Sequence, residues 1–313
     1  MSTLFLASAD RKYEIFVPLY IFFALSHNKN ALVEIFLSDV ERFKTRNKRA
    51  LGLLDSFFPN MFALTEVDFT NYSPNVVRFV YEPKLKDKCE YVYIGDIDIL
   101  IMDEDVEAQH VKNMRTNQLP FSNIIRPDEV TEKKYLRLSG LHFAPISTQY
   151  PLPKLKDLDL SSKNLIRGAD ENILYEIMKR KNLMVPRGIN FRPEHGFHLS
   201  LNRHPTGSYR NGKQKFITIE NKKHIFEWSG VRDENYRNKF LNLSHSDKYQ
   251  KLFFTLDFKA QNILMILGNI CAGRFREYQN EMRKYVIGET YLAPKLRKKI
   301  TFTVLRNLIL RNL

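Results

Sequence analysis

The reading of the fold turns on Tyr93-Ile94-Gly95-Asp96-Ile97-Asp98-Ile99-Leu100. Its apolar flanks read as a buried strand, yet carboxylates stand at i and i+2. Alternate residues of a strand share a face, so Asp96 and Asp98 project the same way and repel each other. That arrangement wants a cation. Hard carboxylate oxygens suit Mg²⁺ or Mn²⁺, and an ion so held can also grip the phosphate oxygens of a nucleotide. An isolated Asp-x-Asp is a weak motif, with a solvated surface turn as the plain alternative. The apolar flanks favour the metal.

Upstream, TLFLASAD (residues 3–10) reads as a buried strand opening into a loop at Asp10. Residues 13–28 carry apolar side chains at helical spacing, and ALVEIFLSD (31–39) is a second strand closing on Asp39. A charged amphipathic helix, VERFKTRNKRALGLLDSFF (40–58), precedes a third strand, CEYVYIGDIDILIM (89–102). Strands alternating with helices predict an α/β fold with a parallel sheet, whose ligands bind beyond the carboxyl ends of the strands. Asp10, Asp39, Asp96 and Asp98 are all expected at that edge.

Farther on, YLRLSGLHFAP (135–145) predicts another strand, and ADENILYEIMKRKN (169–182) a helix whose first turn holds Asp170 and Glu171. The Arg-, His- and Gly-rich stretch after Pro186 reads as a long functional loop. Beyond Trp228 the pattern turns helical and basic. No repeat, low-complexity tract or clear linker interrupts the chain, so the expected organisation is a catalytic domain over residues 1–230 and a helical, basic region over 231–313.

Composition narrows the class. The 313 residues are 43% hydrophobic, with 49 Lys plus Arg against 35 Asp plus Glu and a net charge of +14, which describes a folded basic protein and excludes disorder or a collagen-like chain. Cys89 and Cys271 stand far apart without neighbouring ligands, which argues against a zinc site or a disulfide framework and suits a reducing cytosol. The N-terminal MSTLFLASADRKYE meets charge too soon for a signal-peptide core. The apolar runs 15–25 and 263–271 are shorter than the roughly 20 residues a membrane span requires.

Taken in order, these motifs resemble those of GT-A fold glycosyltransferases, most closely the family 8 type that uses nucleotide-sugar donors. The matching pieces are Ala9, Asp10 and Tyr13; Arg78 in NVVRFVYEPKL; Asp96, Ile97 and Asp98; Ser139 and Gly140; Asp170 and Glu171; and a late His195 or His198. The resemblance spans about residues 3–200 and implies a Rossmann-like, mainly parallel mixed sheet flanked by helices. It implies that Asp10 accepts from a uracil edge, Tyr13 stacks on the base, and Arg78 sits near the donor's phosphates or sugar. Asp170 and Glu171 would face the sugar hydroxyls, although acidic residues also suit any helix start. The family's Lys-Pro-Trp segment after the late His is missing. Here the chain has HGFHLSLNRHPTG, with Arg203 or Lys213 as candidates for the missing Lys. His198 is the first choice as third metal ligand and His195 the alternative.

Residues 293–313 carry six basic side chains and no acidic one, with Leu296, Ile300, Val304 and Leu308 along one face. Such a helix can lie in an anionic membrane interface through Lys295–Leu313, or dock its stripe on the catalytic domain. The expected function is metal-dependent transfer of a sugar from a UDP-sugar, with Mn²⁺ or Mg²⁺, to a glycan or glycolipid of a microbial surface polysaccharide such as lipopolysaccharide or capsule. The setting is cytoplasmic, peripheral on the membrane. The resemblance implies retention of anomeric configuration; an inverting enzyme would use Asp170 or Glu171 as general base. The competing classes are a nucleic-acid binder, consistent with the charge but lacking any binding motif, and a nucleotidyl- or phosphotransferase, which lacks a Gly-rich phosphate loop.

Overall fold

A computed structural model of the chain describes residues 2–70, 72–127, 136–154, 169–201, 209–210, 213–214, 216–219, 222–225 and 228–273. The protein divides into two compact units, Met1–His195 and Gly196–Leu313. Arg203 and the whole basic segment 293–313 lie outside the described residues.

The first unit opens with β1 (Thr3–Ala9), buried along its whole length. After a 3-10 turn at Glu14–Phe16 come α1 (Val17–His27) and β2 (Ala31–Leu37). Two helices, α2 (Val40–Arg46) and α3 (Lys48–Phe57), stand where the sequence pattern suggested one. Between them Asn47 leaves helical geometry, with φ −109° and ψ 19°. Next come β3 (Phe62–Glu66), α4 (Pro74–Val80), β4 (Tyr91–Ile94), β5 (Ile99–Ile101) and α5 (Val106–Thr116). A hairpin of β6 (Ile125–Pro127) and β7 (Leu136–Leu138) leads to β8 (His142–Pro145), α6 (Ile146–Gln149) and α7 (Ala169–Arg180).

The main sheet has the order β3-β2-β1-β4-β8. Its first four strands are parallel, and β8 pairs antiparallel with β4. This is the α/β architecture expected, a mixed and mainly parallel sheet flanked by helices. Continuous burial of β1 follows from its central place, since helices cover both faces of a parallel sheet. Leu4 and Leu6 pack with Val76, Val77 and Phe79 of α4 and with Ile173 and Ile177 of α7. Phe5 lies opposite Tyr93 in register, their rings 5.4 Å apart. The single strand expected over 135–145 is instead two strands in different sheets, parted at Ser139–Gly140.

In the second unit the stretch read as a long loop begins with a strand, β9 (Gly196–His198). Short strands follow: β10 (Tyr209–Arg210) pairs with β11 (Lys213–Gln214), and β12 (Phe216–Ile219) with β13 (Lys222–Ile225). Gly230, at φ 79°, lies so near the Gly196 carbonyl that a Cβ would come within 2.4 Å of its oxygen. Only glycine fits there. Three helices, α8 (Glu234–Ser244), α9 (Asp247–Phe253) and α10 (Phe258–Cys271), bear out the helical reading beyond Trp228. Asp233, Ser246 and Asp257 cap their N-termini through side-chain oxygens. Among the described residues, no helix is long and apolar enough to cross a membrane.

Two buried histidines beside the sheet are held neutral. Burial pushes His142 down to about 3 while Gln149 partly opposes it, and burial pushes His110 well below the ordinary range, helped by His195 and His142. The unfolded chain therefore takes up protons below about pH 6.5 that the folded chain refuses, so stability is full above that pH and falls as pH drops toward 3. Urea unfolding at pH 7 and pH 5 is expected to show a loss of roughly 2 kcal/mol from His142 alone. Replacing His142 with Gln should flatten that part of the profile.

Candidate active site

The carboxyl edge of the parallel strands carries two features. The first is a cavity of about 670 Å³ whose lining includes Asp10, Lys12, Ser38, Phe69, Tyr72 and Ser73. Asp10 follows β1, Ser38 follows β2, and Phe69 to Ser73 link β3 to α4, so the cavity lies where such sheets bind ligands. Asp10 turns the chain there: its Oδ1 accepts from the amides of Lys12 at 3.0 Å and Tyr13 at 2.9 Å. Ala9 is fully buried at the end of β1. Tyr13 is outside the cavity lining, tilted against Phe16 at 6.0 Å, while the aromatic side chains facing the cavity are Phe69 and Tyr72. Sequence reading missed them, although the turn-rich DFTNYSP before Pro74 was a usable signal.

Asp39 does not join this edge as a ligand group. It is the N-cap of α2, its Oδ1 accepting from Arg42 N at 3.0 Å and its Oδ2 pairing with Arg42 Nε at 3.3 Å.

The second feature follows β4. Asp96 and Asp98 each present a carboxylate oxygen, the two within 4.8 Å of each other, and Ile97 between them is buried. Asp98 is itself only 5% exposed. Gly95 is needed because Tyr93 folds back over it, leaving 2.7 Å between a Cβ and the ring. Arg78 on α4 donates through Nη1 to Gly95 O at 2.6 Å and to Asp96 Oδ1 at 2.5 Å, and through Nη2 to Asp170 Oδ2 at 3.2 Å. Burial works against the Arg78 charge, but Asp96 and Asp170 outweigh it and hold its pKa above the ordinary value.

Asp170 and Glu171 open α7 beside this arginine. Burial is the main reason the Asp170 carboxyl is raised, with Arg78 opposing and Asp96 and Glu171 adding to the rise. Glu171 is differently placed: Oε1 accepts from Arg126 Nη1 at 2.9 Å and from Gly140 N at 3.2 Å, while Oε2 accepts from Arg137 Nη1 at 2.5 Å. Both its oxygens are engaged. Gly140 fits against the Arg78–Asp170 pair, since a Cβ would stand 3.0 Å from Arg78 Nη2. Ser139 is fully buried, its Oγ accepting from Arg192 Nε.

His195, the alternative metal ligand, stands in a line of hydrogen bonds. Its Nδ1 faces Asp103 Oδ2 at 2.8 Å and its Nε2 faces His110 Nε2 at 2.8 Å, so both ring nitrogens are occupied. The line continues from His110 Nδ1 to Ser122 Oγ at 2.8 Å, with Asn113 Nδ2 donating to the same oxygen at 2.9 Å. The His195 carbonyl oxygen accepts from Met102 N at 2.7 Å and Asp103 N at 3.2 Å, fixing the chain beside the end of β5.

The geometry therefore links Arg78, Asp96, Gly140, Asp170 and Glu171 in one network, with Asp98 beside it and Asp10 at a separate cavity. Two fully buried phenols, Tyr20 and Tyr93, have hydroxyls without a hydrogen-bond partner among the described residues and feel the Asp96 charge. Hard oxygen donors with unsatisfied hydroxyls close by form a setting that a hydrated divalent cation fits.

No family model matches the chain, and no curated protein does. Among solved structures it is similar to the bifunctional IspDF from Campylobacter jejuni, at 10% identity and a TM-score of 0.34, over 88% of this chain and 79% of that one. It is also similar to the mannosyltransferase PcManGT from Pyrobaculum calidifontis in complex with GDP-Man and Mn²⁺, at 12% identity and a TM-score of 0.37, over 97% and 79%. At these values neither likeness bears on function.

Replacing Arg78 with Ala removes a buried guanidinium and leaves two half-buried carboxylates, Asp96 and Asp170, without their partner, and is expected to lower unfolding stability by about 2–4 kcal/mol. Urea denaturation measures it. Replacing Glu82, whose pair with Lys86 is partly exposed, should change stability by no more than about 1 kcal/mol.

Proposed function

We propose that the protein is a divalent-metal-dependent glycosyltransferase that moves a sugar from a UDP-sugar to a glycan or glycolipid acceptor. The observation that carries this reading is the Asp96–Asp98 pair, its carboxylate oxygens within 4.8 Å, following β4 at the carboxyl edge of a parallel sheet that also carries a separate 670 Å³ cavity beyond β1, β2 and β3. The cavity is of a size that holds a nucleoside, and Phe69 and Tyr72 are its stacking surfaces. One acceptor atom of Asp10, Oδ2, is the group proposed to meet the base.

Asp96, Asp98 and His198 are the proposed ligands of Mn²⁺ or Mg²⁺. When bound, the ion would neutralise charge gathering on the diphosphate as the sugar bond breaks. Arg78 fixes the orientation of Asp96 and of Asp170 through one guanidinium. For an inverting enzyme Asp170, whose carboxyl burial raises above the ordinary range, is the proposed group that takes the proton of the acceptor hydroxyl. Lys295–Leu313 is the proposed contact with an anionic membrane surface, which would place the enzyme peripherally on a cytoplasmic face, in surface polysaccharide synthesis.

Thermal unfolding with UDP, GDP, CMP and ADP, each with and without Mn²⁺, tests the reading. UDP with Mn²⁺ should raise the melting temperature most, since a ligand at a hundred times its Kd adds about 2.7 kcal/mol. D96N and D98N should abolish the metal-dependent part. An unchanged rise in both variants would overturn the metal role. D170N should retain that rise and lower kcat for UDP release about 100-fold or more.

A further inference from the structure

We propose that Arg126 and Arg137 form a subsite for an oxyanion, a phosphate or a carboxylate, carried by the acceptor substrate. The assignment to the acceptor rests on the transferase reading; the binding itself does not.

The β6–β7 register sets Arg126 directly opposite Arg137. Like charges facing each other across a ladder are destabilising, and one carboxylate, Glu171, serves both of them. A guanidinium has five N–H donors. Among the described residues, each of these two is bonded through Nη1 to Glu171, and the Nε of Arg137 is buried with no partner. Among the described residues two adjacent guanidiniums share a single carboxylate and one of them keeps an unpartnered donor, Arg137 Nε, an arrangement that matches the paired oxygens of a phosphate or carboxylate. The side chains are within reach of solvent, Arg126 at 39% and Arg137 at 19% exposure.

Their place in the fold says which substrate they meet. The cavity opens beyond β1, β2 and β3, whereas β7 runs through Ser139–Gly140 into β8, the opposite edge strand. Asp96 follows β4, between these two sides. The arginine pair joins the network of Asp96, Arg78 and Asp170 at its far end, through Glu171 and the Gly140 amide. An oxyanion bound there sits on the other side of the metal pair from the nucleoside. On the transferase reading the acceptor approaches from that side, and the oxyanion is assigned to it.

The test is isothermal titration of the full-length protein with glucose 1-phosphate, glucuronate and neutral glucose, with and without UDP and Mn²⁺. One or both anions should bind about tenfold or more tightly than glucose, and R126Q should remove that margin while UDP–Mn²⁺ affinity stays unchanged. Preference for the phosphate or for the carboxylate identifies the source of the oxyanion. R126Q leaves Arg137 on Glu171; R126K, which keeps the charge and loses the fork, should retain an intermediate margin. The proposal is overturned if neither anion outbinds glucose, if R126Q and R126K bind the anions as the unaltered protein does, or if UDP displaces them. Failure of UDP to bind with Mn²⁺ would count against the transferase reading and leave the anion titration standing.

Discussion

One buried guanidinium organises the candidate site. Arg78 is 3% exposed and grips a backbone carbonyl and two carboxylates from distant parts of the chain. Burying such a charge is costly, and it persists only where its donors are matched by acceptors held in place. The gain is geometry: the Gly95 carbonyl and Asp96 are fixed at the end of β4, and Asp170 is fixed at the start of α7. A lysine could not do this, because it lacks the rigid fork that reaches two directions at once. Without Arg78, the carboxyl edge would hold acidic side chains repelling one another with nothing to set their spacing.

The parallel sheet was legible because β1 and β4 are buried on both faces and so read as continuous apolar runs ending in acids. The α7 helix was legible from its apolar spacing. β3 was not: an edge strand of five residues, three half-buried, one buried and one exposed, has no strong alternation. The run LRLSGLHFAP looks locally like one strand, and only tertiary contacts part it, with Asn123 taking the Ser139 amide and Arg192 the Ser139 hydroxyl.

Among the site residues, Asp96 and Asp98 were readable because their spacing alone creates an electrostatic demand. Arg126 and Arg137 carried no such signal. Their shared partner Glu171 lies 45 and 34 residues away, a distance over which local pattern is silent. The partners of His195 were silent for the same reason: Asp103 and His110 are 92 and 85 residues upstream.

The central claim is that neighbouring carboxylates at the end of β4 hold a divalent ion. Crystals grown with UDP and Mn²⁺ and measured at the manganese absorption edge test it most directly. The account predicts an anomalous peak touching Asp96 and Asp98, with the nucleoside in the cavity beside Phe69 and Tyr72. A manganese peak remote from both aspartates, with UDP bound in the cavity all the same, would contradict it.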